Sequence, residues 1–259
     1  MDVETLDPVG ARVTGATLAA IGPPAIEELR TLLAEHGVVV LPGQDDATDE
    51  DFVAFLRRFG PLAFTKGEAS APGFPDLNVV SNVGRTTPPK SSWHVDTSYV
   101  ARPPAYTALR AVRIPEQGGA TLFSDQWRAL DTLEPDLRDL VQDRSILHVV
   151  TGVTLEDGDE HEAWHPVVRP HPLTGRPGLY LTTPARCAAV SDLSPAESED
   201  VVARLFEHST RPENVYAHDW RPGDVVLWDN ARVLHRADHA DVRGDRVMHR
   251  GMVASHRAA

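Results

Sequence analysis

At 259 residues, 41% hydrophobic and 24% charged, the chain has the composition of an ordinary folded protein, long enough for one large β-rich domain or two small ones. Its 25 Lys and Arg face 38 Asp and Glu, a net charge of −13 that argues against a nucleic-acid or anionic-membrane partner. No apolar run approaches the ~18 residues of a membrane span, Met1-Asp2-Val3-Glu4 lacks the regions of a signal peptide, and Cys187 is the lone cysteine, so a reducing cytoplasm is the expected location.

Residues Leu6 to Thr17 read as short strands with turns. A helix follows: Pro23-Pro24 opens it, Ile26, Leu29 and Leu33 mark one face, and His36-Gly37 closes it. Val38-Val39-Val40-Leu41 is a continuously apolar, β-branched run, as a buried strand should be. Thr48 and Asp51 form a capping-box start for a second helix, with Phe52, Phe55, Leu56 and Phe59 at helical spacing. Pro61 to Ser92 is a Gly-, Pro- and Ser-rich connection with one strand at Leu77-Val80, leading to an extended Trp93-His94-Val95-Asp96. Ala105 to Ile114 and Ala120 to Phe123 read as strands around a Gln117-Gly118-Gly119 turn, and Ser124 to Val141 as two helical pieces. Gly152 to Glu162 holds five acidic residues without apolar periodicity, a solvated loop or lid. Short strands then recur around Val167, Leu179, Val215, Val225, Val233 and Val247–Val253, interrupted by a helix that Ser194, Pro195 and Glu197 begin. Many short strands with flanking helices predict a mainly β protein built on a double-sheet jelly roll, residues 1–259 forming one domain.

The chemistry-bearing residues lie far apart in this order. On an extended strand His94 and Asp96 point to one face, and His235 from a distant strand would complete two histidines and one carboxylate. That set suits Fe(II), with open positions opposite the protein ligands for a co-substrate and dioxygen. H-x-D alone is a common pattern without a metal. Arg246 and Arg250 share a parity on the last strand and suit two carboxylates, or a carboxylate and another oxyanion. By themselves they read more simply as two solvated side chains. His235 and His239 are four apart, but Arg236 stands where a zinc protease motif needs Glu. His171, His208, His218 and His256 read as surface or structural residues.

The order and spacing of motifs settle these alternatives by resemblance. His36-Gly37-Val38-Val39-Val40-Leu41, Phe59-Gly60-Pro61-Leu62, Trp93-His94-Val95-Asp96, Gly118-Gly119-Ala120-Thr121-Leu122, His165-Pro166-Val167-Val168-Arg169, His171-Pro172-Leu173-Thr174-Gly175, Trp228-Asp229-Asn230, His235 and Met248-His249-Arg250 are the matching pieces. Over nearly the whole chain they resemble the taurine dioxygenase/2,4-D dioxygenase family of Fe(II)- and 2-oxoglutarate-dependent oxygenases. The resemblance implies that His94, Asp96 and His235 are the iron ligands and that Thr121 and Arg246 hold the distal carboxylate of 2-oxoglutarate. It implies that Arg250 meets an acidic group of the substrate near the metal. The presence of Asp96, which related halogenases lack, implies oxygenation with dioxygen, succinate and CO2. A metal-dependent hydrolase has no need of a 2-oxoglutarate clamp, and a non-catalytic acid-binding barrel has no need of an intact triad.

Several positions depart from the taurine-oxidising pattern. Val95 replaces the commoner Thr, Ala63-Phe64-Thr65-Lys66 contains no histidine, Lys90-Ser91-Ser92 lacks an Asn, and the segment before His165 is short. The expected substrate is therefore not taurine but another small acid bearing a carboxylate, sulfonate, sulfate or phosphonate. A homo-oligomer is compatible with this reading.

Overall fold

Alternate residues of the core strands serve two different hydrophobic layers. Val39, Leu41, Val225 and Leu227 face one cluster, while Val38, Val40, Val226 and Trp228 face another. A strand covered on both sides has no solvated face, which explains the unbroken apolar run at Val38–Leu41. The computed structural model describes residues 1–63, 68–85, 91–152 and 155–255. Its nine-stranded sheet runs, edge to edge, through Asp2–Thr5, Ala11–Thr14, Val38–Leu41, Val225–Asp229, Tyr106–Arg113, Val247–Val253, Phe74–Ser81 and Ser70–Ala71, with Leu62–Ala63 added onto Val247–Val253. Neighbours are antiparallel except Ala11–Thr14 beside Val38–Leu41.

Facing this sheet is a smaller one of Val215–His218, Thr121–Asp125 and Val233–Ala237. Phe123 and Val233 of the smaller sheet join Val40, Leu109, Trp228 and Met248 of the larger in the inner cluster, with the Phe123 and Trp228 rings 5.4 Å apart. The two layers make a jelly roll, and the fold is mainly β with flanking helices.

Helices seal the outer faces. Pro23–His36 has Pro in its first turn, and Gly37, at φ +75°, donates to the Leu33 carbonyl at 2.8 Å. A Cβ at Gly37 would lie 2.7 Å from Arg232 Cγ, so both conformation and space select glycine there. Asp49–Arg57 starts with the expected reciprocal Thr48–Asp51 box. Leu29, Leu33, Phe52, Phe55 and Leu56 bury the outer face of the large sheet. On the far side, Pro195–Ser209, opened by the Ser194–Glu197 box, packs with Gln126–Asp131 and Pro135–Val141 over Leu122 and Leu234.

The structure differs from the sequence expectation in several places. Asp2–Thr5 is already a strand, and the Pro61–Ser92 connection, expected to hold one strand, also holds Leu62–Ala63 and Ser70–Ala71. Ser145–Val149, Glu162–Pro166 and Cys187–Val190 form an additional three-stranded sheet. The H-x-D segment is not a regular strand. His94 makes a single bridge, a turn begins at Asp96, and Thr97 takes a left-handed φ of +49°.

Candidate active site

The two histidines of the metal-binding pattern are locked by their own backbones. His94 and His235 exchange both N–H···O=C bonds at 3.0 Å, which sets their rings 4.3 Å apart from segments 141 positions distant. The turn after Val95 then folds Asp96 back onto them. The carboxylate lies 3.7 Å from His94 Nε2 and 3.5 Å from His235 Nε2. One ligand atom from each of His94, Asp96 and His235 lies within 4.8 Å of the others. The expected convergence is present, made by a bridge and a turn rather than by strand alternation.

The hydrogen bonds orient the rings for ligation. His94 Nδ1 donates to the Ser92 carbonyl at 2.8 Å, which turns Nε2 toward Asp96. Burial, reinforced by His94, pushes the His235 imidazole down to about 3, so it is neutral at neutral pH. Burial alone would raise Asp96, but His235, Arg250 and His94 together hold it well below the usual carboxylate range. The two imidazoles and the ionised Asp96 carboxylate therefore converge beside a cavity of about 360 Å³ that His94 and His235 line.

Thr121, Arg246 and Arg250 line the same cavity. Arg246 is 1% exposed, and its Nε donates to the Gly119 carbonyl at 2.9 Å. A Cβ at Gly119, which takes φ +80°, would come within 3.0 Å of Arg246 Cδ, so the Gly118-Gly119 turn makes room for the guanidinium. The Thr121 hydroxyl accepts from Arg246 at 3.2 Å and from Trp220 Nε1 at 3.0 Å. With both acceptor positions engaged, its proton is left to donate to a further acceptor. Among the described residues no carboxylate pairs with Arg246, and burial lowers it only to about 10, so it stays charged.

Arg250 is placed differently. It donates to Asp96 at 3.3 Å, to Glu68 at 2.8 Å and to Asn78 at 3.3 Å. Acids of the chain itself thus answer this guanidinium, and the buried cation that needs an external anion is Arg246. Sequence reasoning had not singled out Glu68, Trp220 or Thr107, whose hydroxyl donates to Asp96 at 2.8 Å. The Trp228-Asp229-Asn230 motif was the one signal pointing to this supporting layer. His171, His208 and His218 are buried and structural, bonded to Asp229, to the Ala129 carbonyl and beside Asp224. Phe64 to Lys66, Lys90 and His256 lie outside the described residues.

Trp220 offers a test of the Thr121 arrangement. Trp220→Phe removes one neutral hydrogen bond, worth about 0.5–1.5 kcal/mol, and is expected to raise the 2-oxoglutarate requirement roughly 2- to 12-fold. Succinate formation against 2-oxoglutarate concentration measures it. An unchanged requirement would show that the orientation of Thr121 is not used.

Nearly the whole chain is similar to known dioxygenases. The model of the taurine catabolism dioxygenase TauD, TfdA family matches residues 2–252. An (S)-phenoxypropionate/alpha-ketoglutarate-dioxygenase of Sphingobium herbicidovorans is 34% identical over 98% of this chain and 94% of its own length. An alpha-ketoglutarate-dependent 2,4-dichlorophenoxyacetate dioxygenase of Cupriavidus pinatubonensis is 33% identical over 89% of each chain. A taurine dioxygenase structure from Burkholderia xenovorans superposes with a TM-score of 0.84 at 30% identity, covering 98% of this chain and 91% of that one. The structure of AAD-2 in complex with Mn(II) and N-oxalylglycine gives 0.84 at 28% identity, covering 99% and 98%. The chain belongs to the TauD/TfdA family and is a 2-oxoglutarate-dependent, non-haem iron dioxygenase acting on a small organic substrate.

Proposed function

We propose that this dioxygenase oxidises a C–H bond of a small organic acid other than taurine, with hydroxylation as the primary outcome. The observation that carries it is the convergence of His94, Asp96 and His235 on one cavity with two arginines. The donor set fits Fe(II): two imidazole nitrogens and one carboxylate, the histidines lining the cavity on the side left for other ligands. When bound there, iron and 2-oxoglutarate together supply the oxidising chemistry, in which 2-oxoglutarate, dioxygen and the substrate C–H become succinate, CO2 and C–OH.

The chain's residues bind and orient the reactants. Arg246, which no carboxylate among the described residues neutralises, and the free Thr121 proton receive the distal carboxylate of 2-oxoglutarate. His94 and His235 would hold the metal, their rings fixed by the paired backbones. The Trp228 ring, 4.6 Å from that of His235, covers one side of the ligand and keeps water from it.

Arg250 reaches an acidic substrate by exchanging one acid for another. Its contact with Glu68, whose side chain is 37% exposed, can be given up to a substrate anion while Asp96 stays in place. The relatives named for phenoxypropionate, 2,4-dichlorophenoxyacetate and sulfonate support an anionic class. The test is a succinate-formation screen of matched pairs, each acid against its methyl ester or amide. The acid is expected to turn over faster, and Arg250→Gln to lose about 10-fold or more on the acid and far less on its neutral partner. Equal turnover of esters and acids by the parent protein would exclude an acidic substrate while leaving the reaction class intact.

A further inference from the structure

The Asp96 carboxylate is gripped from a side that the cavity does not reach. Thr107 is fully buried in the middle of the large sheet, and its hydroxyl lies 2.8 Å from Asp96 Oδ2. Asn230, 2% exposed, places Nδ2 2.9 Å from that hydroxyl. The direction of this chain is forced. An ionised carboxylate only accepts, so the single Thr107 proton goes to Asp96, and Thr107 must in turn accept from the Asn230 amide. Asn230 is anchored by its own backbone, whose N–H donates to the Ala105 carbonyl at 3.0 Å, two residues before Thr107. The other oxygen, Oδ1, receives Arg250 at 3.3 Å. Each oxygen thus has its own donor, and the plane of the carboxylate is set.

We propose that Thr107, oriented by Asn230, is a positioning residue for Asp96, holding its carboxylate in the rotamer and plane that ligate the metal. The proposal rests on the assignment of Asp96 as an iron ligand. A carboxylate free to turn about its Cβ–Cγ bond can swing toward Arg250, or present both oxygens to the metal and occupy a position that a co-substrate needs. Supporting hydrogen bonds to first ligands govern metal affinity in this way. The relay also gives the Trp228-Asp229-Asn230 stretch a task. Trp228 and Asp229 pair with Thr107 and Tyr106 across the strands, which brings Asn230 to the end of the strand that carries Thr107.

Metal-free protein titrated anaerobically with Co(II), followed by visible absorption, separates positioning from packing. Thr107→Val keeps the branched shape and removes the donor, so Co(II) affinity is expected to fall about 10- to 100-fold, while Thr107→Ser, which restores the hydroxyl, stays within about threefold of the parent. A purely structural role would lower the melting temperature of the metal-free protein without moving the Co(II) affinity. Should Thr107→Val fail to fold, Asn230→Ala decides, with affinity at least about threefold weaker expected. Parent-like affinity in Thr107→Val or, where that variant does not fold, in Asn230→Ala would overturn the relay. So would a Thr107→Ser protein as weak as Thr107→Val. A parent that takes no Co(II), or an Asp96→Ala variant that takes it equally well, would instead overturn the assignment of Asp96 and the relay with it.

Discussion

Asp96→Ala is expected to abolish metal-dependent turnover and leave the protein folded. The carboxylate is 4% exposed and contributes nothing to the three hydrophobic clusters, so its removal opens no large apolar void. Arg250 loses one acid but keeps Glu68 and Asn78, so no cation is stranded. The metal, in contrast, would lose its proposed anionic ligand and keep only the two imidazoles. The drop in affinity should therefore exceed the roughly 10- to 100-fold that supporting residues control. Three measurements check this: Fe(II) or Co(II) affinity, 2-oxoglutarate consumption, and the visible charge-transfer band formed on anaerobic mixing with Fe(II) and 2-oxoglutarate. His235→Ala should behave alike, since its Nε2 faces the same carboxylate and its backbone pairing with His94 needs no side chain. Parent-like 2-oxoglutarate consumption by Asp96→Ala would remove Asp96 from the site. Hydrolysis by the parent with zinc and no 2-oxoglutarate would count against the oxygenase chemistry itself.

How much of this was legible in the chain depended on the kind of residue involved. Histidine, aspartate and arginine in an apolar setting announce chemistry, and His94, Asp96, His235, Thr121, Arg246 and Arg250 surround or back one cavity as their spacing and family resemblance implied. Helix starts were equally legible, because capping is local: Thr48 with Asp51 and Ser194 with Glu197 need only three residues of context. What was not legible was carried by ordinary residue types acting at long range. Thr107 and Asn230 are 123 positions apart, and nothing about a threonine in a strand marks it as a donor to Asp96. The turn at Asp96 was hidden because an extended H-x-D would deliver the same two side chains. Cys187–Val190 escaped because Cys-Ala-Ala-Val lacks the alternation of a half-buried strand, and its pairing with Ser145–Val149 supplies the order instead. A buried guanidinium needs an anion, and among the described residues Arg246 meets no carboxylate whereas Arg250 meets two. One of the two acids answering Arg250 is Glu68, 182 positions away, which no local pattern could indicate.

Arg246→Gln is expected to raise the 2-oxoglutarate requirement sharply while leaving metal binding near that of the parent. The wild-type guanidinium is almost wholly removed from water, and among the described residues it bonds neutral groups: the Gly119 carbonyl through Nε and the Thr121 hydroxyl through a terminal nitrogen. A buried charge without a counter-ion is costly in the free enzyme, and binding a carboxylate relieves that cost. Glutamine keeps a donor of shorter reach but loses the charge and the forked geometry, so the co-substrate carboxylate enters a site that no longer neutralises it. Hydrogen bonds to charged groups are worth about 1.5–3 kcal/mol, which corresponds to roughly 10- to 150-fold in the 2-oxoglutarate concentration needed. Thr121 should not compensate, because its hydroxyl then has an open acceptor position and no charged neighbour to polarise it. The proposed metal ligands share no hydrogen bond or ion pair with Arg246 among the described residues, so Co(II) affinity without co-substrate serves as the internal control. An unchanged 2-oxoglutarate requirement would assign the distal carboxylate to another basic group lining the cavity, with Arg85 and His239 the first to replace. A parallel loss of Co(II) affinity would show instead that Arg246 supports the architecture of the whole site.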